Sequence, residues 1–215
     1  MPSHRPRVLI ADDHTLVADL CWNLLEKEFD VIGTVGNGRA MVQAASQLKP
    51  DVIIVDIGMP ILNGLDAGQQ IKKALPAVKL IFLTMNCSVE LAAEAFRRGA
   101  SGYLLKTCAA AEIVTAMRKV LSGESYICRS FCRDEVNHLR RTETKLVEEE
   151  ERLTERQREV LQLLAEGKQM KEIGDILNMT ARTVAFHKYR AMEALGARSN
   201  AELVRYAVRH RLVSS

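Results

Sequence analysis

Several features are scarce or missing in this chain of 215 residues, and each absence argues against one class of protein. No apolar run reaches the roughly 18–20 residues that cross a bilayer, so we expect no membrane span. The N-terminus lacks the apolar core of a signal peptide, and we therefore expect a cytoplasmic protein. There are no internal repeats, and the only low-complexity tract is the run of four glutamates from Glu148 to Glu151.

Cysteine is also scarce. The five cysteines are odd in number and scattered, which argues against a disulfide framework: Cys21, Cys87, Cys108, Cys128 and Cys132. Cys128 and Cys132 are four residues apart and could share a helix face. This spacing alone is a weak metal signal, so packing or exposure without a chemical role is the simpler interpretation.

Charge is nearly balanced over the whole chain, with a net charge of +3, but it is unevenly distributed. From Arg152 to the end there are twelve Lys and Arg and seven Asp and Glu, a balance of +5. A compact basic segment is typical of nucleic-acid binding. An ordinary solvated helical surface can carry the same modest excess, so charge alone leaves both interpretations open.

The first 124 residues alternate between short apolar runs and longer amphipathic segments. The runs predict five buried parallel strands, at Val8–Ala11, Val31–Val35, Val52–Val55, Leu80–Thr84 and Gly102–Leu105. The segments between and after them predict helices at about Leu16–Glu28, Arg39–Leu48, Leu65–Leu75, Val89–Arg98 and Ala110–Leu121. Five such units predict a doubly wound α/β domain, a five-stranded parallel sheet with helices on both faces.

Polar residues follow the predicted strands at the point where each strand ends. They are Asp12 and Asp13 after the first run, Asp56 after the third, Thr84 at the end of the fourth and Lys106 after the fifth. The carboxyl ends of the strands form the ligand-binding edge of an open α/β sheet. Three carboxylates, a hydroxyl and an ammonium at one edge suit a divalent cation and a phosphoryl group, and they suggest a carboxylate that accepts phosphate.

The rest of the chain predicts a linker and a small helical domain. Residues 125–151 are polar and highly charged, and the heptad spacing of Leu139, Leu146 and Leu153 suggests that this linker is partly helical. Residues 152–215 predict an all-α domain of four helices, at Glu155–Ala165, Lys171–Leu177, Thr180–Leu195 and Asn200–Arg209. Two helices joined by the tight turn Asn178–Thr180, the second carrying basic and aromatic residues, form a helix-turn-helix pattern.

These motifs give the chain a resemblance to a known family. The first half resembles the receiver domain of two-component response regulators, and the second half resembles the helix-turn-helix domain of their NarL/FixJ (LuxR-type) subfamily. The resemblance covers nearly the whole chain outside the linker. The motifs that carry it are Leu9–His14, Asp51–Pro60, Gly99–Lys106, Leu153–Leu161, Lys171–Gly174 and Thr183–His187.

The resemblance implies a role for each polar residue at the sheet edge. Asp56 would accept a phosphoryl group from a sensor histidine kinase, and Thr84 and Lys106 would neutralise charge on its oxygens. Tyr103 would be the switch aromatic that fills the space left when Thr84 moves toward the phosphoryl group. The chain would be a phosphoacceptor rather than an enzyme, and phosphorylation would promote a homodimer that controls transcription.

A magnesium site is implied at the same edge. Asp13 and Asp56 would supply carboxylates to Mg²⁺, with Asp12 close by, and the backbone carbonyl of Gly58 would be a further ligand. Crowded carboxylates disfavour each other's ionisation, and a bound cation would keep Asp56 ionised and nucleophilic.

The sequence departs from the family pattern at several positions. Thr107 stands where many receivers have proline, and Met85 stands where a smaller residue is usual. Gly58 and Asn86 occupy positions that tune the lifetime of the phosphate, so this lifetime cannot be deduced from the sequence. Ala185 replaces the lysine that usually follows Thr-Val in the helix-turn-helix domain.

The third helix of the C-terminal domain predicts a recognition surface for double-stranded DNA. Helical spacing places Val184, His187, Ala191 and Leu195 toward the core. The predicted DNA-binding residues are Arg182, Thr183, Ala185, Phe186 and Tyr189, with Lys188 and Arg190 flanking them as phosphate contacts.

Three other functions compete with this interpretation. A hydrolase or phosphatase with Asp56 as nucleophile would need a second acid two residues later, where the chain has Gly58. A dinucleotide-binding enzyme has only the glycines of Gly33–Gly38 in its favour, and their order is not that of the fingerprint. A phosphate-independent DNA-binding regulator would use the receiver for dimerisation only.

Overall fold

The chain forms two compact units, and in the described residues the first is built on a sheet and the second on helices. The structure is a computed structural model that describes residues 5–131, 136 and 152–213. In this part of the chain, no helix combines the length and the apolar character needed to cross a membrane.

The first unit contains a parallel sheet of six strands in the order β2-β1-β3-β4-β5-β6. The strands are β1 (Arg7–Ala11), β2 (Asp30–Val35), β3 (Val52–Asp56), β4 (Lys79–Thr84), β5 (Gly102–Leu105) and β6 (Tyr126–Ile127). Every residue of β3 and all but the first of β4 are buried. This agrees with the unbroken apolar runs at these positions, because a central parallel strand is covered on both faces.

Five helices follow the first five strands and cover the two faces of the sheet. They are α1 (Thr15–Leu25), α2 (Gly38–Leu48), α3 (Gly64–Ala74), α4 (Val89–Arg97) and α5 (Ala109–Leu121). Helix α1 packs beside α5, and α2 packs beside α3. A short 3-10 helix, Lys106–Cys108, joins β5 to α5. The prediction of a doubly wound parallel α/β domain is therefore confirmed.

The number of strands was predicted wrongly, because the sheet has six strands and not five. Strand β6 lies inside residues 125–151, the predicted linker, and pairs in parallel with β5 through Gly102–Tyr126 and Tyr103–Ile127. Two residues are too short for an apolar period to be recognised. Of the predicted leucine seam, Leu139 and Leu146 lie outside the described residues, and Leu153 packs in a core of the helical unit.

The second unit consists, in its described residues, of α6 (Glu155–Ala165), α7 (Met170–Leu177), α8 (Ala181–Leu195) and α9 (Asn200–Arg209). Thr154 and Gln157 form a capping box at the start of α6, and the Thr180 hydroxyl accepts the Thr183 backbone N–H at the start of α8. These side chains satisfy N–H groups that a helix leaves unpaired at its first turn. The four predicted helices are thus present at nearly the predicted positions.

The turn between α7 and α8 depends on a close backbone approach. A Cβ atom on Gly174 would lie 2.6 Å from the Met179 carbonyl oxygen. Asn178 ends α7 in the left-handed conformation, with φ of 53°. Asparagine tolerates this conformation better than most residues. Together these two residues let α8 start directly after α7, as a helix-turn-helix motif requires.

Gly64 provides a test of how the first unit is packed. Its Cα lies against the end of β3, and an added Cβ would meet the Asp56 carbonyl oxygen at 2.1 Å. We expect Gly64→Ala to destabilise this unit by about 3 kcal/mol, at the upper end of the usual cost of overpacking. Urea unfolding followed by the fluorescence of Trp22, the chain's only tryptophan, reports on this unit.

The matched control is Gly36→Ala. A Cβ at Gly36 would have its nearest neighbour, the Asp13 Cα, at an ordinary 3.9 Å. The control should therefore change the stability by less than about 1 kcal/mol. Equal effects of the two substitutions would show that the contact at Gly64 does not limit the packing.

Candidate functional site

Four polar side chains lie at the carboxyl edge of the sheet, where neighbouring strands end. Asp56 and Thr84 are the last residues of β3 and β4, while Asp12 and Lys106 directly follow β1 and β5. The strand order places β1, β3, β4 and β5 side by side. The chain winds in opposite directions from β1 and β3, so this edge is also the switch point at which open α/β sheets bind ligands.

Lys106 joins the two buried carboxylates. Its Nζ lies 2.9 Å from Asp12 Oδ2 and 3.0 Å from Asp56 Oδ2, and it donates a hydrogen bond of 3.0 Å to Asp12 Oδ1. Asp12 and Asp56 are each only 4% exposed. A single ammonium therefore neutralises part of the charge of two carboxylates that have little access to water.

The pKa values of this group follow from burial and from the neighbouring charges. Burial and the charge of Asp12 raise the pKa of the Asp56 carboxyl, and the contacts with Lys106 and with the Gly58 N–H only partly oppose this rise. Burial by itself would lower the pKa of Lys106. Its hydrogen bond to Asp12 and the charges of Asp56 and Asp12 outweigh burial, so the pKa of Lys106 is raised. Ionised Asp56 is thus a strained state that a further cation would relieve.

The acidic cluster has the chemistry of a site for a hard cation. One potential ligand atom each from Asp12, Asp13, His14 and Asp56 lies within 4.8 Å of the others. Asp12 Oδ2 forms an ion pair with Lys106 Nζ at 2.9 Å, and no group among the described residues donates a well-directed hydrogen bond to it. An oxygen with unused lone pairs beside further carboxylates fits Mg²⁺, which prefers hard oxygen ligands. Gly58, the other predicted ligand, donates its N–H to Asp56 Oδ1 at 3.3 Å.

His14 is a member of this cluster to which the sequence reasoning assigned no role. Its Nδ1 lies 2.9 Å from Asp13 Oδ1 and 3.3 Å from Asp12 Oδ1. Lys106 Nζ is 3.4 Å from the same nitrogen. The only signal for it in the sequence was its position directly after Asp13.

The two predicted switch residues differ in their surroundings. The Thr84 hydroxyl accepts the Asn86 backbone N–H at 3.0 Å, and Met85 between them is exposed. Tyr103 is fully buried, and its ring meets the Phe131 ring edge-on with 5.4 Å between the centroids. Tyr103 is therefore a core aromatic in this structure, on the strand next to the one that ends at Thr84.

The exposed face of α8 contains most of the predicted DNA-binding residues. Arg182, Phe186, Tyr189 and Arg190 are exposed, Ala185 between them is partly buried, and Thr183 is exposed at the capped first turn. Phe186 and Tyr189 are 57% and 61% exposed, which is unusual for aromatic side chains. Arg190 lies over the Phe186 ring and is paired with Glu193 at 2.9 Å. An exposed aromatic and basic stripe of this kind indicates a binding surface.

Lys188 is an exception among these residues, because the prediction that it flanks the exposed face is wrong. It is buried, with 7% exposure, whereas His187 is only partly buried. The buried positions are 184, 188 and 191, so the helical period selects Lys188 for the core side in place of His187. The Lys188 Nζ lies 5.3 Å from the centre of the Tyr189 ring. Its long aliphatic chain allows burial while the ammonium reaches this ring.

Comparison with protein families matches both units. Residues 8–118 match the response regulator receiver domain, and residues 151–207 match the bacterial regulatory proteins of the luxR family. The chain is a two-component response regulator of the NarL/FixJ type. Response regulators with these two domains are transcription regulators and not enzymes. The hydrolase and dinucleotide-binding alternatives are thereby excluded.

Several bacterial regulatory proteins align with this response regulator over almost its whole length. MctR, a transcriptional regulatory protein of Rhizobium johnstonii, is 33% identical over 97% of this chain and 95% of its own length. LnrK, a transcriptional regulatory protein of Bacillus subtilis, is 36% identical over 95% of this chain and 97% of its own. The response regulator UvrY of Escherichia coli is 32% identical over 97% and 96%.

Solved structures of the response regulator RcsB are similar along both units. RcsB of Salmonella typhimurium is 26% identical with a TM-score of 0.61, over 96% of this chain and 98% of RcsB. A structure of an RcsB–DNA complex is 28% identical with a TM-score of 0.54, over 94% and 97%. The order of the two units along the chain is thus shared with RcsB.

The raised pKa of Asp56 predicts a pH-dependent gain in stability when its charge is removed. Below the ordinary value of 3.8, Asp56 is protonated in both the folded and the unfolded chain, and its charge has no effect. Above that value the unfolded chain loses the proton first, so ionisation of Asp56 costs stability as the pH rises. Without Mg²⁺, we expect Asp56→Asn to be more stable than the parent at neutral pH, with a difference that vanishes near pH 3.8.

Urea unfolding monitored by Trp22 at a series of pH values, with a chelator present, measures this difference. The control is Asp19→Asn, an exposed substitution that should stay within about 0.5 kcal/mol at every pH. A loss of stability in Asp56→Asn at neutral pH would mean that the attraction to Lys106 exceeds the cost of burial and of repulsion by Asp12.

Proposed function

We propose that this chain is a phosphorylation-controlled, DNA-binding transcription regulator that accepts a phosphoryl group on Asp56 from a sensor histidine kinase. The observation that carries the proposal is the Lys106 ammonium, held within 3.0 Å of both Asp56 and Asp12 at the ligand-binding edge of the sheet. Such a cation lies close to the position that the negative oxygens of a phosphoryl group on Asp56 would occupy. The membership of a response-regulator family supports the same assignment.

The transfer follows from the chemistry of the groups. A carboxylate oxygen of Asp56 forms a bond to phosphorus while the bond between phosphorus and the donor's histidine nitrogen breaks. The electron pair stays on that nitrogen, and a proton from solvent converts the resulting imidazolate into neutral imidazole. Lys106 then exchanges part of its contact with the carboxylates for a contact with a phosphoryl oxygen. The attraction between the ammonium and this oxygen is stronger in a buried position than in water.

Asp12, Asp13 and Asp56 have the donor atoms to hold Mg²⁺ for this reaction, and the resemblance to receivers adds the backbone carbonyl of Gly58 as a further ligand. When bound, Mg²⁺ supplies positive charge that keeps Asp56 ionised and offsets the charge of the incoming phosphoryl oxygens. The unused lone pairs of Asp12 Oδ2 support this set.

Thr84 and Tyr103 form the proposed switch. The Thr84 hydroxyl would exchange the Asn86 N–H for a phosphoryl oxygen, and the buried Tyr103 side chain would stabilise the arrangement in which Thr84 has moved. Each contact that exists only in the phosphorylated state shifts a two-state equilibrium toward that state. The proposed result is a homodimer that binds double-stranded DNA in the cytoplasm.

The exposed side of α8 is the proposed DNA-contacting surface. One helix-turn-helix unit offers few side chains to the major groove, so two units reading two half-sites suit the geometry better. The complex of RcsB with DNA supports this assignment by similarity. We also propose that the receiver extends past residue 124 to include β6, which shortens the linker between residues 125 and 151.

Phosphorylation can be tested with the full chain, Mg²⁺ and a small acyl phosphate. Intact-mass analysis should show one added phosphoryl group per chain, located on Asp56 and sensitive to hydroxylamine as an acyl phosphate is. Asp56→Asn should remove the label, and Asp13→Ala should reduce it strongly by weakening the cation site. Asp19→Asn, on an exposed position of α1, should label like the parent. Full labelling of Asp56→Asn would refute the assignment.

DNA binding tests the corrected face of α8. Phe186→Ala and Tyr189→Ala should change the preferred base, at about 1–3 kcal/mol per lost base contact. Arg190→Ala, at the exposed flanking residue predicted to contact phosphate, should weaken binding to all sequences and reduce the salt slope by about 1, because a phosphate contact releases a counterion but carries no sequence information. Competition binding against single-base operator variants at two salt concentrations separates these effects.

The matched control for the cationic contact is Lys188→Met. It removes a positive charge from the same helix but from a buried position, and it leaves an unbranched side chain only one atom shorter. The salt slope should therefore stay at the parent value. A phosphodonor that leaves the affinity for DNA unchanged, in both the parent and Asp56→Asn, would favour the alternative of a phosphate-independent regulator.

A further inference from the structure

A second cluster of metal-binding side chains lies outside the phosphoacceptor site. Cys108 ends the 3-10 helix after β5, Glu112 lies in the first turn of α5, and Cys128 directly follows β6. One ligand atom from each lies within 4.8 Å of the other two. Three chemically suited donors thus come together from three separate elements, and the proposed phosphorylation does not use any of them.

The two thiols face a common point. The Ser130 hydroxyl lies 3.5 Å from Cys108 Sγ and 3.6 Å from Cys128 Sγ. Both cysteines are free thiols, so neither sulfur is engaged in a disulfide. Cys128 is buried and Cys108 is partly exposed, which leaves the cluster a route to solvent on one side.

The carboxylate of Glu112 is held in place by its own partners. Its Oε2 accepts a hydrogen bond of 2.7 Å from the Tyr126 hydroxyl and one of 3.4 Å from the Arg129 backbone N–H. A ligating carboxylate is typically oriented in this way by a hydrogen-bonding partner behind it. Because β6 carries Tyr126 and leads into Cys128, the same strand positions both the orienting hydroxyl and one of the thiols.

The donor set determines the class of cation. Two sulfur atoms and one carboxylate suit Zn²⁺ or a similar thiophilic ion, whereas Mg²⁺ requires oxygen ligands. A tetrahedral zinc ion holds neighbouring ligand atoms roughly 3.5 Å apart, so small side-chain rotations suffice to close the cluster around it. This separates the cluster from the acidic site at Asp12, Asp13 and Asp56, which contains no sulfur.

We propose that Cys108, Cys128 and Glu112 bind one Zn²⁺ ion per chain, with water as the fourth ligand. Binding replaces the two thiol protons, which pass to solvent, and leaves the sulfurs as thiolates. Cys108 is two residues from Lys106 in the turn that joins β5 to α5. The bound ion fixes this turn to the segment after β6, and so restricts the backbone that carries the phosphate-contacting lysine.

Titration with Co²⁺ tests the site, because a thiolate ligand gives Co²⁺ a near-ultraviolet charge-transfer absorption that oxygen ligands do not give. The sample is the reduced, chelator-treated full chain with Cys132→Ser, since Cys132 lies outside the described residues. Excess Mg²⁺ occupies the acidic site. We expect one Co²⁺ per chain with thiolate absorption, and displacement of Co²⁺ by Zn²⁺.

Single variants made on this background identify the ligands. Cys108→Ser and Cys128→Ser should each abolish the thiolate absorption or cut it sharply, whereas Cys87→Ser, at an exposed cysteine outside the cluster, should leave it intact. Tyr126→Phe keeps the ring but removes the hydroxyl that orients Glu112, and it should weaken Zn²⁺ binding about 10–100-fold. Three results would overturn the proposal. They are a Cys132→Ser protein without thiolate absorption, a Cys108→Ser variant that keeps this absorption, and a Tyr126→Phe variant with unchanged affinity for Zn²⁺.

A second measurement needs no substitution and is independent of folding defects in the variants. Zn²⁺ should slow the alkylation of Cys108 by iodoacetamide several-fold, because the bound thiolate is no longer a free nucleophile. The exposed Cys87 in the same molecule should react at an unchanged rate. Equal rates at Cys108 with and without Zn²⁺, measured by peptide mass mapping, would also overturn the proposal.

Discussion

One ammonium group between two buried carboxylates is the interaction on which the rest of the sheet-containing unit depends. Lys106 has to reach Asp12 and Asp56 across the ends of three strands, and this is possible only because β1, β3, β4 and β5 are neighbours in one parallel sheet. Without Lys106, two carboxylates would face each other with little water and no counterion. The close approach of Asp12 and Asp56 at this edge therefore depends on the ammonium group of Lys106.

The charge balance of this edge is incomplete. One positive charge faces two buried carboxylates, with the exposed Asp13 beside them. A protein designed for stability alone would remove one of the acids, but the proposed phosphoacceptor needs an ionised carboxylate that gains more from a cation than it loses by burial. The repulsion between the Asp12 and Asp56 carboxylates lowers the stability of the fold and favours the binding of a cation at this edge.

Much of this organisation was predictable from the sequence, and the reason is physical. Unbroken apolar runs such as Val52–Val55, in alternation with amphipathic helical segments, are typical of central parallel strands, and the carboxyl ends of such strands lie at one edge of the sheet. What escaped prediction depends on single contacts. Strand β6 is too short to show a period, and His14 is recognisable as part of the acidic cluster only after folding. The sequence pattern placed His187 on the buried side of α8, but the structure places Lys188 there. A helix with 3.6 residues per turn allows spacings of three or four, and these two spacings differ by one position. Neither residue type is a usual core residue, so the pattern could not decide between them.

Strand β6 has a consequence for the behaviour of the chain as a whole. The Tyr126 N–H donates to the carbonyl of Ser101, directly before β5, at 3.0 Å, and the N–H of Cys128, directly after β6, donates to the Tyr103 carbonyl at 2.9 Å. These bonds cover backbone groups that would otherwise form an open edge, and open edges are templates for the strands of other molecules. A proteolytic cut just before β6, or a chain truncated there during synthesis, would leave β5 uncovered. Because β6 has only two residues, it covers part of the β5 edge and offers few unpaired backbone groups of its own, which is one way in which sheet edges are made short.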